Sequence, residues 1–384
     1  MSSLLVLVII VGCVAYQYIK GTLVKAFATI MAVICSSVVA FGYFEALANV
    51  FISRGQSSRN AGLVPWAPAL CFALLFVVAF AILQTAIAQI VREKIDLGVI
   101  AERAGRIVCG ALLGLIASGL VLTALAMAPL SNNIPYERFD KLNPNPDLPG
   151  KSLLNADGFA VGWFSTISRG SFSGRNSFAV LRADFLDQLF LNKLNSSDDV
   201  PIVTTSQAIT VSKESLWPAP EGLRISADPN RVIEPKSGCE LTIVRIGIKR
   251  SALPAVEKFT LGQVRVVCKL KTQRADVFSG NGVDVYPAGY VGTPGKIQLA
   301  KLSHIIKLSS QDFDGSVKWI DFIFYVPNEV VPVVAEFKQN NVAELAAPLS
   351  PDKAPELIPF IKPAKPTEPV ESSSQSQADS QGGP

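Results

Sequence analysis

Apolar residues are concentrated in the first third of the chain, where four long stretches carry almost no charge. These stretches cover residues 4–19, 23–52, 64–91 and 107–130. A helix needs about 20 residues to cross ~30 Å of hydrocarbon at a rise of about 1.5 Å per residue. The pattern therefore predicts a four-helix transmembrane domain over residues 1–130, with the lipid bilayer as its surroundings.

After residue 130 the pattern changes to that of a water-soluble region. Four prolines within residues 131–150 indicate a stiff spacer that leaves the membrane. Apolar residues at helical spacing within 151–198 then predict two short amphipathic helices that pack on a neighbour. The first places Phe159, Trp163 and Ile167 on one face, and the second does so with Phe178, Leu181, Phe185 and Leu189.

Residues 199–345 show the alternation that is typical of β-strands, with proline, glycine and asparagine between the strands. This predicts a mainly-β antiparallel sandwich. Segments 316–324 and 330–337, separated by Pro327 and Asn328, predict its closing hairpin. The run FIFYVPNEVVPVVAEF resembles the last strands of immunoglobulin-like domains found outside bacterial membranes.

Composition adds three constraints to this picture. The chain of 384 residues is 49% hydrophobic, which is too apolar for a soluble protein of this length. Its net charge is +4 and it has no long run of Lys or Arg, so we expect no nucleic-acid partner. The tail 346–384 is rich in proline, serine and glutamine and is predicted to be disordered.

The sequence offers little material for catalysis. His304 is the one histidine, which excludes multi-histidine metal sites and most triads that use a histidine base. The chain also lacks a glycine-rich phosphate loop, a cluster of metal ligands and a nucleophile elbow. We therefore expect neither enzyme activity nor a cofactor.

The distribution of basic residues predicts the orientation in the membrane. One side of the bundle carries six in Lys20, Lys25, Arg92, Lys94, Arg103 and Arg106, and the other carries four in Arg54, Arg59, Arg138 and Lys141. Cytoplasmic connections hold the excess of Lys and Arg. Both termini, and the carboxyl-terminal domain with them, are therefore predicted to be extracytoplasmic.

Small residues recur every four positions in the fourth span. Gly110, Gly114 and Ser118 occur in the run CGALLGLIASGL. Such residues line one helix face and let two backbones approach in lipid. The face would pack either within this bundle or between protomers as a homo-oligomer contact, and glycine is also simply common in membrane helices.

Glu45 is the acidic residue within the second span. Because it lies within about two turns of the end of the span, two interpretations are open: an interfacial carboxylate hydrated near Arg54, or a residue of an ion pathway.

Cys239 and Cys268 are the cysteines outside the spans. A disulfide between them would close a loop of about 30 residues and contribute ~3 to 4 kcal/mol. The alternative is two unrelated buried thiols.

The membrane part resembles the colicin V production protein family over residues 4–130. The likeness rests on four short-looped helices, on Lys20 and Gly21 after the first, and on the basic, glycine-spaced run from Arg106 to Gly119. It implies a multi-pass bacterial inner-membrane protein connected with toxin production and envelope maintenance, and it carries over no catalytic residue.

Two functions follow from this organisation. A membrane-anchored scaffold or binding protein with an envelope protein as partner fits the spacer, the sandwich and the lack of catalytic groups. The alternative is a component of an oligomeric channel or transporter, which the small-residue face would assemble.

Overall fold

The computed structural model describes residues 2–55, 61–90, 98–169, 177–253, 255–274, 280–313 and 315–361. Its amino-terminal part contains helices α1 (Ser2–Lys20), α2 (Leu23–Gly55), α3 (Ala67–Ile90) and α4 (Val99–Met127). All four are long and apolar enough to cross a membrane. The four predicted spans are confirmed, and the chain is a membrane protein.

Helices α1 and α4 pack against each other through two glycines of α4. A Cβ atom on Gly110 would lie 2.7 Å from the Cα atom of Val14, and one on Gly114 would lie 2.6 Å from the Cα atom of Ile10. These separations are shorter than any normal carbon–carbon contact, so a larger residue would force the two helices apart. Within the chain, α1 therefore covers the small-residue face.

The same contact continues toward the carboxyl end of α4. Ser118 is fully buried, and its hydroxyl donates a hydrogen bond to the carbonyl of Leu115 at 3.0 Å. Further along, Leu122 shares a small core with Val6 of α1 and with Ala156, which follows the bundle. The amino terminus of α1 therefore lies at the end of the bundle where the chain leaves α4.

Three short helices follow, α5 (Ala156–Ser168), α6 (Phe178–Leu181) and α7 (Phe185–Asn192). The second predicted helix is divided into α6 and α7. Of its predicted face, Phe178, Phe185 and Leu189 are at most 9% exposed, and Leu181 is half-buried. These two helices lie between the bundle and the β domain.

Helix α5 packs on α4 with the face opposite to the predicted one. A Cβ atom on Gly119 would overlap the backbone of Ala156 and lie 2.8 Å from the Cβ atom of Ala160. Phe159 and Trp163 point outward and are 39% and 46% exposed. The prediction that they pack on a neighbour is wrong, because small side chains allow the closest contact with α4.

Residues 131–150 contain no helix or strand, yet they are packed against the short helices. Tyr136 and Phe139 are buried, at 9% and 4% exposed. The Nε atom of Arg138 donates to a carboxylate oxygen of Asp187 on α7 at 2.5 Å. The segment is therefore not the stiff spacer that its prolines predict, because its aromatic and charged side chains fasten it to α7.

The chain after α7 forms the predicted β-rich domain. Its strands are β1 (Ile209–Thr210), β2 (Leu216–Pro218), β3 (Arg224–Ile225), β4 (Asp228–Val232), β5 (Cys239–Lys249), β6 (Lys258–Thr260), β7 (Val264–Leu270), β8 (Val283–Val285), β9 (Pro287–Thr293), β10 (Lys296–Leu299), β11 (Ile305–Lys307), β12 (Val317–Pro327), β13 (Val330–Phe337) and β14 (Asn341–Glu344).

These strands form one large, one medium and one small sheet. The large sheet has the order β1-β5-β12-β9-β10-β3-β4, with β2 also paired to β5, and the medium sheet has the order β14-β13-β7-β8. Strands β6 and β11 form the small sheet. In the described part of the chain, β3 and β10 pair in parallel, so the domain is not purely antiparallel as predicted.

The two larger sheets share a core. Phe322 and Phe324 of β12 lie in the same buried cluster as Phe337 of β13. Ile323 points the other way, into a second cluster that contains Trp217. The large sheet is therefore buried on both faces along β12.

The predicted closing hairpin does not form. Strand β12 pairs with β5 and β9, whereas β13 pairs with β7 and β14. The turn at Pro327 and Asn328 thus carries the chain from one sheet to the other. Both strands are buried on both faces along most of their length, so each is covered by two layers.

Residues 346–361 are ordered along the outer face of the large sheet. The backbone N–H groups of Leu349 and Phe360 donate to the carbonyls of Leu216 and Val291, both at 2.8 Å. The prediction of a disordered tail is therefore wrong for this segment, because it covers apolar side chains of the large sheet. Residues 362–384 lie outside the described residues.

The structure contains no disulfide between Cys239 and Cys268, and both are free thiols. Cys239 begins β5 in the large sheet and pairs with Pro327, while Cys268 on β7 pairs with Pro332 in the medium sheet. Burial raises the pKa of the Cys268 thiol, which lowers the concentration of reactive thiolate. The disulfide prediction is therefore wrong, and the alternative of two unrelated thiols holds.

We expect that replacing Gly110 and Gly114 together by leucine will separate α1 from α4. Overpacking of this kind costs about 1–3 kcal/mol or more, so the thermal unfolding midpoint in detergent should fall while membrane insertion is retained. Gly12→Leu is the control, since a Cβ atom on Gly12 meets no atom within 4 Å. Equal midpoints for the double variant and the control would contradict the packing role.

Candidate functional site

Helix α2 is longer than a membrane crossing requires. Its 33 residues extend for about 50 Å, against ~30 Å of hydrocarbon. The part of α2 from Phe41 onward packs on the short helices that precede the β domain. Glu45 lies on this part, and its side chain is 37% exposed. It is thus placed where the bundle meets the β domain.

Arg182 directly follows α6 and is almost completely buried, with 4% exposed. Its Nε atom donates to Oε1 of Glu45 at 2.6 Å, and its Nη1 atom donates to Oε2 of Glu336 at 3.1 Å. Its Nη2 atom donates to the carbonyl oxygen of Gln339 at 3.0 Å. One guanidinium therefore connects a transmembrane helix to strand β13 and to the turn after it.

Glu336 is the shared acceptor of this arrangement and is 1% exposed. Besides Arg182, its Oε2 atom accepts from Nε of Arg265 at 2.7 Å and from Nε2 of Gln188 at 3.1 Å. We call Glu45, Arg182, Gln188, Arg265 and Glu336 the junction cluster.

Arg265 extends the junction cluster into the medium sheet. It lies on β7, opposite Glu336 in the strand register, and forms an ion pair with Asp284 on β8. It also donates to the backbone carbonyls of Leu181 and Ala183, at 2.9 and 3.0 Å. Arg265 therefore anchors the chain on both sides of Arg182 to the sheet.

The charges at the junction compensate one another in a region from which water is largely excluded. Burial alone would lower the pKa of Arg182, but Glu45 and Glu336 outweigh it and hold the pKa above its ordinary value. Arg182 is therefore permanently charged, and the loss of either carboxylate would leave part of that charge unpaired.

Aromatic rings seal the side of the junction that faces the bundle. Phe41 of α2 stacks on Phe164 of α5, with ring centroids 4.7 Å apart, and meets Phe178 edge to face at 5.5 Å. Phe178 in turn contacts Phe185 of α7 at 5.1 Å. These rings join α2, α5, α6 and α7 into one apolar layer below the junction cluster.

A cavity of about 290 Å³ opens beside the junction cluster. Its wall includes Glu45 and Asn49 of α2, Gln188 of α7, and residues 339–342, which comprise part of the turn after β13 and the start of β14. The side-chain Nε2 atom of Gln339 is buried and has no hydrogen-bond partner. The described lining therefore offers amides, the carboxylate of Glu45, the guanidinium of Arg182 and the hydroxyl of Ser206, groups that can hold a small polar molecule.

The structure separates the residues that the sequence selected. Gly110 and Gly114 lie in the contact between α1 and α4, and Ser118 is buried further along α4. Cys239 and Cys268 lie in different sheets, and Glu45 alone is part of the junction cluster. Its partner is Arg182, not Arg54.

Sequence reasoning did not select Arg182, Arg265 or Glu336. The last two are charged residues in the apolar runs QVRVVC and VVAEF, where a charge is costly unless it is paired. Two opposite charges, each within an apolar strand, were thus the sequence signal that could have identified Arg265 and Glu336 as a pair. No such signal marks Arg182, which occupies a polar position between Leu181 and Phe185 of the second predicted helix.

Comparison with protein-family models, curated proteins and solved structures finds no match. Among the residues that the structure describes, no group of three or more His, Cys, Asp and Glu could hold a metal ion. The candidate site is therefore defined by its own geometry, as an ionic joint between the helix bundle and the β domain.

We expect Glu336→Gln to destabilise the protein far more than Glu45→Gln. The first change leaves two buried arginines short of an acceptor, which costs about 3–5 kcal/mol. The second removes a partly exposed partner while Glu336 remains, at a cost of about 1 kcal/mol or less. Denaturant unfolding in detergent measures both, and equal losses would show that Glu336 is not the centre of the cluster.

Proposed function

We propose that this protein is a membrane-anchored scaffold that holds its β domain on the extracytoplasmic face of a bacterial inner membrane for an envelope protein partner. The junction cluster is the observation that carries the proposal. It fixes the β domain to helix α2 through Glu45 and Arg182. A domain that positions a partner at a fixed place relative to the membrane needs such a joint, because a domain on a flexible tether would not hold the partner in one place.

The outer edge of the large sheet supports a binding role. All five residues of β4 are exposed, and β4 pairs with β3 alone among the described strands. Its free edge can add an extended segment of a partner by backbone hydrogen bonds. Pro229 removes one donor, which disfavours pairing between two copies of this edge.

The extracytoplasmic placement rests on the six-to-four excess of basic residues on the other side of the bundle. The resemblance to the colicin V production family would connect the scaffold with toxin production or envelope maintenance. Under this proposal the partner is a protein of the same compartment.

A component of an oligomeric channel or transporter is the second candidate. It is favoured by the large exposed surfaces of α1 and α3, which leave room for contacts between protomers. Against it, α1 already covers the glycines of α4 that the sequence offered for assembly. A channel would therefore assemble through other faces.

The placement predicts that a reporter active only outside the cytoplasm will be active when fused after Ile361, the end of the described chain. A truncated fusion that ends at Gly98, between α3 and α4, is the control and should be inactive, because that connection is expected in the cytoplasm. The reverse result at both positions would place the β domain in the cytoplasm.

A photo-crosslinking residue in place of Arg231 on β4 tests the scaffold in cells. We expect one discrete adduct with an envelope protein, and much less of it in a Glu336→Gln background, where the joint is weakened.

Purified parent protein in vesicles should give no ion flux above that of empty vesicles. Flux together with the absence of an adduct would favour the channel.

A further inference from the structure

Helix α5 and the turn before it present apolar side chains outward. Leu154, Phe159 and Trp163 are 67%, 39% and 46% exposed, although α5 is not one of the membrane-spanning helices. Its inner face packs through Ala160 and Phe164 and also buries Asp157 and Ser168. Large apolar side chains that are exposed together on the outer side require an apolar neighbour there.

The position of α5 identifies that neighbour. It contacts α4 at Gly119, about two turns before the end of α4 at Met127. Ala156 at its start shares a core with Val6 of α1 and Leu122 of α4. Helix α5 therefore lies beside the ends of two membrane-spanning helices.

The turn that precedes α5 lies against α1, whose surface is exposed and apolar at this end. Leu153–Asn155, the turn that precedes α5, contacts α1. At this end of α1, Leu4 and Val8 are 67% and 60% exposed. Exposed apolar side chains of the turn before α5 therefore lie near the exposed apolar surface at this end of α1.

Two exposed cations flank the segment, Lys151 before it and Arg169 after it. Tryptophan at the interface, a lipid-facing apolar surface and basic residues near the headgroups are the features of helices that lie in the plane of a membrane interface. Both flanking side chains are positively charged and can pair with the negatively charged phosphates of the lipid headgroups.

We infer that α5 is an interfacial helix whose outer face, defined by Leu154, Phe159 and Trp163, lies at the headgroup–acyl boundary of the phospholipid leaflet on the side of the β domain. Its inner face reaches the aromatic layer through Phe164, which stacks on Phe41. Lipid thereby covers the outer side of α5, whose inner side belongs to the aromatic layer below the junction cluster. This assignment does not depend on the scaffold proposal.

The test is tryptophan fluorescence of the full chain in phosphatidylcholine–phosphatidylglycerol vesicles whose acyl chains carry bromine near the carbonyl end. The chain has four tryptophans: Trp66 at the start of a span, Trp163 on α5, and Trp217 and Trp319 in strands of the β domain. If Trp66 and Trp163 are the two that reach lipid, Trp163→Phe should reduce the fluorescence intensity lost to bromine about twofold.

Trp319→Phe is the matched control: it should remove only unquenched fluorescence and leave the absolute intensity lost to bromine unchanged, since β12 lies within the β domain. Bromine near the acyl-chain terminus should quench Trp163 less than bromine near the carbonyl end. Equal quenching of the parent and Trp163→Phe would overturn the inference, because a protein surface or a second copy would then cover this face. The conservative change at an exposed position keeps the fold intact in either case.

Discussion

The buried guanidinium of Arg182 imposes the main constraint on how the two parts of this protein meet. A charge removed from water is tolerated only where opposite charges and hydrogen bonds replace its hydration. Glu45 supplies one such group from the membrane side, and Glu336 supplies the other from the β domain. Because both carboxylates contact one guanidinium, α2 and β13 approach the same point. The short helices α6 and α7 are consequently held between them.

Close packing in the bundle brings the other elements to this point. Gly110 and Gly114 admit α1 on one side of α4, and Gly119 admits α5 further along the same helix. With α5 in place, Phe164 reaches Phe41 and closes the apolar layer below the ionic joint. Small residues in the membrane thus determine how tightly the charged junction is shielded from water.

Within the β domain, the architecture follows from the need to bury apolar side chains on both faces of the large sheet. Strand β12 alternates Phe322 and Phe324 on one face with Ile323 on the other, and all three are fully buried. One face meets the medium sheet, and the other is covered in part by residues 346–361. Buried Asp321 fastens that segment, since it accepts from the side chain of Arg245 at 2.6 Å and from the backbone N–H of Ile358 at 2.8 Å.

By itself, the sequence determined the four spans, the change to β structure and the small-residue face of α4. Bilayer thickness fixes the length of an apolar helix, and side-chain periodicity follows from backbone geometry, so these features are local. Tertiary structure decided what each face contacts. Gly110 packs against α1, Trp163 points to the exterior, and Glu45 pairs with Arg182, which is 137 residues away along the chain. Periodicity states which residues share a face, but the neighbour of that face depends on contacts between distant segments. For the same reason β12 and β13, adjacent along the chain, were free to join different sheets.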